Sequence, residues 1–200
     1  MKILSATGPA EPRDASPNQL RRLGPVARIA LGMAQALGRA DALVWTSRVG
    51  ERVRAEQVRG SVVAGRRVRP MAFRASLPTA PAAAAAIACD IRGPVEALDA
   101  CATLALLRAE LLLARCETVM VLGGDTAHDT VPLEHSGFGG LLLGRGDGLS
   151  LTRGQASPAA VPSYPTAGLA TLVTAALGGR TATLCEPTGR PGWTVHLEPS

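Results

Sequence analysis

Cysteine and histidine are the side chains of this chain best suited to covalent or metal chemistry, and there are four of the first and three of the second in 200 residues. Cys89, Cys101, Cys116 and Cys185 show neither a CxxC pair nor a zinc-type spacing. Three of them lie inside apolar runs, where a cysteine acts as a small hydrophobe. Reduced, buried thiols of this kind fit a cytoplasmic setting. The stretch after Gly124 holds Asp125, His128, Asp129, Glu134 and His135, residue types that ligate divalent metals. The two histidines lack the i, i+4 pairing of a rigid helical site, and Pro132 intervenes, so the stretch reads as a solvated loop with no metal. The glycines of Gly144–Gly148 show G-x-G spacing without a following helix to hold a pyrophosphate, so no dinucleotide cofactor is expected.

These residues must be positioned by recognisable elements. Ser16-Pro17 is a helix start, and an apolar stripe through Leu20, Leu23, Ala27, Leu31 and Leu37 carries one helix to Gly38. Asp41–Ser47 reads as a short buried strand, and the arginine-rich segment through Arg69 as helix and loop. Ala80–Ala86 is a helix of small side chains that lets another element approach closely. Gly93-Pro94 punctuates the chain, with Pro94 suited to a first helical position. Val95–Leu113 then reads as one helix, apolar around most of its circumference and therefore buried on most sides. Its polar residues Glu96, Asp99, Thr103 and Glu110 form one narrow stripe.

Val119–Leu122 is a buried strand, with Gly123-Gly124 turning the backbone at its end. Gly137–Thr152 alternates as a hairpin about Arg145–Gly148. A helix from Thr166 to Leu177 and strands at Arg180–Cys185 and Trp193–Glu198 complete the list. The predicted organisation is a single domain over residues 1–200, with residues 1–16 loose apart from a short edge strand at Met1–Leu4.

The net charge is +5, almost all from arginine, since Lys2 is the only lysine. Arginines gather at Arg21, Arg22 and Arg28 and again between Arg48 and Arg69. Such a surface suits an acidic partner. Nucleic acid is excluded for want of a binding motif and of aromatics interleaved with the charge. No run reaches the roughly eighteen apolar residues of a membrane span, and the N-terminus has no signal-peptide core, so a soluble, cytoplasmic chain is expected.

Several stretches in order resemble one family. IRGPVEALDACATLALLRAELLLARCETVMVLGGD (91–125) resembles the centre of the N-terminal half of a β-ketoacyl synthase, a member of the thiolase-like superfamily. RRVRPMAFRASLPTAPAAAAAIACDIRGP (66–94) resembles the approach to that family's nucleophile. GFGGLLLGRGDGLSLTRG (137–154) resembles its later hairpin. SPNQLRRLGPVARIALGMAQAL (16–37) is similar to the first helix of divergent stand-alone forms found with aryl-polyene and fatty-acid clusters. The resemblance implies an α/β thiolase-like half fold, a mixed sheet packed against a buried central helix.

It also implies a nucleophilic cysteine just after the Gly-Pro turn, and counting forward from Gly93-Pro94 comes close to Cys101. Counting back from Gly123-Gly124 falls instead near Leu98 or Asp99, one helical turn away. With the helix starting at Pro94, Cys101 lies beyond the turn where the helix dipole acts, and Glu96 and Asp99 oppose a thiolate. Cys101 is therefore expected to be inert and buried. The histidines that a full synthase uses on the carrier-bound malonyl unit have no counterpart motif, and His196 stands alone. Two functions follow from the resemblance. One is a non-catalytic partner of a full-length ketosynthase or acyl carrier protein, in the manner of a chain-length factor. The other is a small acyltransferase forming an acyl thioester on Cys101. A homodimer or a complex with a full-length synthase is expected, through Met71–Ala88 and the neighbouring strand, because half a duplicated fold leaves apolar surface uncovered.

Overall fold

The computed structural model describes residues 1–13, 15–126, 137–154, 161–162, 165–180, 182–185 and 194–198. The strands are β1 (Lys2–Thr7), β2 (Ala42–Thr46), β3 (Val95–Leu98), β4 (Val119–Asp125), β5 (Gly137–Gly144), β6 (Leu149–Gly154), β7 (Val161–Pro162), β8 (Thr183–Cys185) and β9 (Thr194–Glu198). The helices are α1 (Pro17–Arg22), α2 (Pro25–Leu37), α3 (Arg52–Val63), α4 (Pro70–Arg74), α5 (Ala80–Ala88), α6 (Ala102–Leu112) and α7 (Pro165–Leu177). Among the described residues the strands form one mixed sheet in the order β3-β2-β4-β5-β1-β6-β9-β8-β7. β2 runs parallel to both β3 and β4, and β4 runs antiparallel to β5.

The sheet has helices on both faces, and the strand sequences show why. In β2, Leu43 and Trp45 point to one face and Ala42 and Val44 to the other; in β4, Met120 and Leu122 oppose Val119 and Val121. This is the period of two that buries a strand on both sides, and all five β2 residues are buried. α2 and α5 cover the first face through Val26, Ala30, Met33, Ala34, Ala82 and Ala85. α6 and α7 cover the second through Ala102, Ala105, Leu106, Ala109, Leu169 and Leu172. Among the described residues no helix is long and apolar enough to cross a membrane.

Six expectations are corrected. The helix expected over Val95–Leu113 begins only at Ala102, because Val95–Leu98 pairs in register with Leu43–Thr46 as a parallel edge strand. The Pro94 carbonyl, rather than opening a helix, accepts a hydrogen bond from Leu43 N–H at 3.0 Å. Sheet pairing overrides a helix-compatible composition here. Nor is α6 buried on most sides: Leu104 and Leu111, seven residues apart on one stripe, are 41% and 53% exposed.

The helix expected from Pro17 to Leu37 divides at Leu23-Gly24. Pro25 cannot donate into a continuing helix and starts α2 instead. Its predicted start does form: Ser16 and Gln19 make a reciprocal capping box. The N-terminus is not loose. β1 extends to Thr7 and lies inside the sheet between β5 and β6, not at an edge. Beyond it, the Ala10 carbonyl occupies the space where a Cβ on Gly32 would stand. The hairpin expected over Gly137–Thr152 is consequently split, since β1 inserts between its arms. Finally, Gly123 and Gly124 do not turn the chain; β4 runs through them to Asp125. They are small because a Cβ at Gly124 would meet the Phe138 ring and one at Gly123 would meet Leu169.

The strands expected at Arg180–Cys185 and Trp193–Glu198 are present as β8 and β9 and pair antiparallel. Trp193 and the 187–192 link lie outside the described residues.

Candidate active site

Three parallel strands, β3, β2 and β4, end together on one side of the sheet. Their carboxyl ends are where open α/β sheets place ligands. β3 ends at Leu98, Asp99 and Ala100 turn the chain, and Cys101 is the N-cap of α6 with φ −75° and ψ 162°. The Cys101 carbonyl takes the first helical hydrogen bond, from Ala105 N–H at 3.1 Å. The thiol therefore sits at the start of the helix, not two turns inside it. The first reason given for an inert Cys101 is removed and the second is reduced to Asp99. The helix N-terminus is at hand, and the Glu96 carboxylate is held at 2.7 and 2.9 Å by the Arg108 guanidinium. That hydrogen bond holds the Glu96 carboxyl below its ordinary pKa. Cys101 is partly exposed, and its Sγ lies 3.0 Å from the Thr103 hydroxyl.

The end of β2 clamps this elbow. Thr46, fully buried, donates from Oγ1 to the Ala100 carbonyl at 2.6 Å, and Ser47 N–H donates to Leu98 O at 3.1 Å. Ser47 Oγ in turn donates to Asp125 Oδ1 at 2.5 Å and accepts from Gly50 N–H at 2.7 Å. Asp125, 1% exposed, also accepts from the backbone N–H groups of Arg48 and Val49 at 3.0–3.1 Å. Hydrogen bonds from three donors thus satisfy this buried carboxyl group within the fold. Asp125 therefore has a structural role that its reading as part of a solvated loop missed; His128, Asp129, Glu134 and His135 lie outside the described residues. The signal was present in the sequence: a carboxylate ending a wholly apolar strand must find donors.

Sequence reasoning also missed Glu51. It is 1% exposed, with Oε1 accepting from Ala27 N–H at 2.5 Å at the start of α2 and Oε2 without a partner among the described residues. Burial pushes its carboxyl above the ordinary value, outweighing the backbone hydrogen bond from Ala27 and the nearby Arg54 and Arg28. Gly24 leaves the space its carboxylate fills.

The placed histidine is remote. His196 is in β9, six strands along the sheet from β3, roughly 29 Å at the 4.8 Å spacing of neighbouring strands. General base catalysis needs hydrogen-bond reach or one water.

Comparison with known proteins agrees with this architecture. The model of the family described as "Beta-ketoacyl synthase, N-terminal domain" matches residues 8–136. Among solved structures, a ketosynthase (ApeO) in complex with its chain length factor (ApeC) from Xenorhabdus doucetiae is similar with a TM-score of 0.71 and 21% identity. That likeness covers 94% of this chain and 82% of the other. The ishigamide ketosynthase/chain length factor matches with a TM-score of 0.51 and 16% identity, over 62% of this chain and 44% of that one. No curated protein matches. The fold is that of a thiolase-like ketosynthase half, with a mixed sheet between helical layers, and the chain belongs to the β-ketoacyl synthase N-terminal domain family.

Proposed function

We propose that this chain is an accessory subunit of fatty-acid or polyketide synthesis of the aryl-polyene type, pairing in the cytoplasm with a ketosynthase and its acyl carrier protein. It shapes the acyl site without catalysing the condensation. The observation that carries this reading is the open edge beside the elbow. Among the described residues β3 ends the sheet with Val95 42% exposed, and α5, which packs against β3, exposes Ile87 at 71%. An unpaired strand edge rimmed by apolar side chains seeks a partner. A ketosynthase in complex with a chain length factor is among the similar structures, which fits a partner of that kind. Among the described residues the thiol of Cys101 meets a hydroxyl, which is no base, and the strand that carries His196 lies six strands away from β3; both favour a role without condensation.

A second reading is favoured by one observation, the N-cap position of Cys101. There the chain would be an acyltransferase. The Cys101 sulfur attacks the acyl carbonyl of a carrier thioester, a new C–S bond forms, and the carrier thiol leaves with the proton.

The two readings separate in a reconstitution with an acyl carrier protein and a ketosynthase of the aryl-polyene type. Omitting this chain should change product length or yield, and replacing it with Cys101→Ala should not. Intact mass spectrometry after incubation with acylated carrier should show no adduct. An adduct that Cys101→Ala abolishes would install the acyltransferase reading.

A further inference from the structure

α3 and α4 form an exposed helical hairpin. α3 packs against α4 and buries none of its residues, and α4 buries none of its own. The turn that joins them is firmly closed. Ala64 N–H donates to Gly60 O at 3.1 Å, Gly65 N–H to Val62 O at 2.9 Å and Arg66 N–H to Ser61 O at 2.8 Å. Gly65 takes a φ of 65°, the left-handed conformation that suits the end of a helix. Every residue from Val62 to Arg67 is exposed, Val62 by 61% and Val63 by 83%. Arginines flank this apolar tip. Arg59 lies one turn before Val63 on the same face of α3, and Arg66, Arg67 and Arg69 follow the turn. Glu56, the one acid between Arg52 and Arg69, already pairs with Arg52 at 3.0 Å. Among the described residues no carboxylate pairs with Arg59, Arg66, Arg67 or Arg69.

An exposed valine pair within a collar of unpaired arginines is satisfied by a surface that removes water from the valines and brings anions to the guanidiniums. An anionic lipid surface does both. Its headgroup phosphates take bidentate hydrogen bonds from arginine, and the acyl boundary beneath them takes the valines. The arginine stems can lie along the apolar layer while their charged ends stay among the phosphates. The shape of the tip favours a bilayer over a protein. A stable protein interface buries about 800 Å² per partner, far more than one turn of chain offers, whereas a fluid bilayer closes around a projecting turn. We infer that the 62–67 turn inserts into the headgroup layer of an anionic membrane and holds the chain on that surface without spanning it. Membrane contact here does not depend on the pairing at the β3 edge proposed above.

Vesicle flotation of the full chain is the test, with vesicles of phosphatidylcholine alone and of equal parts phosphatidylcholine and phosphatidylglycerol. The chain should float with the anionic vesicles at physiological salt, float less at high salt, and stay behind with the neutral ones. Arg66→Glu/Arg67→Glu should lower the bound fraction roughly fivefold or more. Val62→Ser/Val63→Ser should lower it about threefold or more, with circular dichroism unchanged in both variants because all four side chains are exposed. If the valine variant does not fold, the charge pair decides alone. Arg21→Glu/Arg22→Glu makes the same charge change on α1 and should alter the bound fraction by less than about twofold. Equal loss in that control would overturn the turn as the contact and leave only attraction by net charge. Unchanged flotation of both turn variants, or equal flotation with neutral vesicles, would also overturn it. So would failure of the unaltered chain to float with either vesicle; if Arg66→Glu/Arg67→Glu then weakened a ketosynthase complex, the turn would be a protein contact instead.

Discussion

Ser47 donates a 2.5 Å hydrogen bond to Asp125, and the two buried residues join the carboxyl end of β2 to that of β4. The pair is separated by 78 positions in sequence, yet it fixes the 47–50 turn that lies against the Cys101 elbow through Thr46 and Ala100. Asp125→Ala would orphan the Ser47 hydroxyl and two backbone donors. A buried donor left unmade costs about 1–3 kcal/mol. The expected loss is therefore about 3 kcal/mol or more, and the fall in Tm roughly 6–12 °C at this chain length. Thermal and urea unfolding measure it. A variant as stable as the parent would show that this hydrogen-bond hub does not hold the site.

Glu51 gives a pH dependence with a definite sign. Its folded carboxyl is raised by burial above the ordinary 4.5, so the folded chain holds a proton that the unfolded chain has released. Stability must then fall as pH rises from about 4.5 through the raised folded value. The difference in unfolding free energy between the parent and Glu51→Gln should decline over that window. A flat or rising difference would contradict the burial of this carboxylate.

Glu96 should behave oppositely. The Arg108 hydrogen bond lowers its carboxyl, so its contribution is present above the ordinary value and is lost as pH falls through the folded one. The pair is partly exposed, so the effect is small, at most about 1 kcal/mol. Glu96→Gln should converge with the parent in stability at low pH; a gap that widens on acidification would refute the pairing.

Gly32 tests the docking of the N-terminal segment. Because the Ala10 carbonyl stands where a Cβ would be, Gly32→Ala should displace residues 8–13 and destabilise by about 1–3 kcal/mol, as overpacking does. Limited proteolysis should then cut near Arg13. Unchanged cleavage and stability would mean the segment does not pack on α2.

How much of this was legible in the sequence depended on whether local chemistry or pairing decided the outcome. The Ser16 cap, the Gly38 stop, and the buried strands Ala42–Thr46 and Val119–Leu122 were readable because capping and continuous apolar runs act locally. The strand Val95–Leu98 was not, because nothing within it says that Leu43–Thr46 waits alongside to pair with it. That single error moved Cys101 two turns along a helix and reversed the reasoning about its surroundings. β1 was misplaced for the same cause: its insertion between β5 and β6 is a long-range event, and the segment 137–154 reads locally like a hairpin. Glu51 escaped because a buried carboxylate and a solvated one have the same letter.

The central claim is that this chain works as a partner. Multi-angle light scattering of the chain alone and mixed with a full-length ketosynthase of the aryl-polyene type measures that directly. A one-to-one complex is predicted, weakened by a charge placed on the β3 edge at Val95→Glu and unaffected by Cys101→Ala. A monodisperse monomer that leaves the ketosynthase unbound would contradict the account.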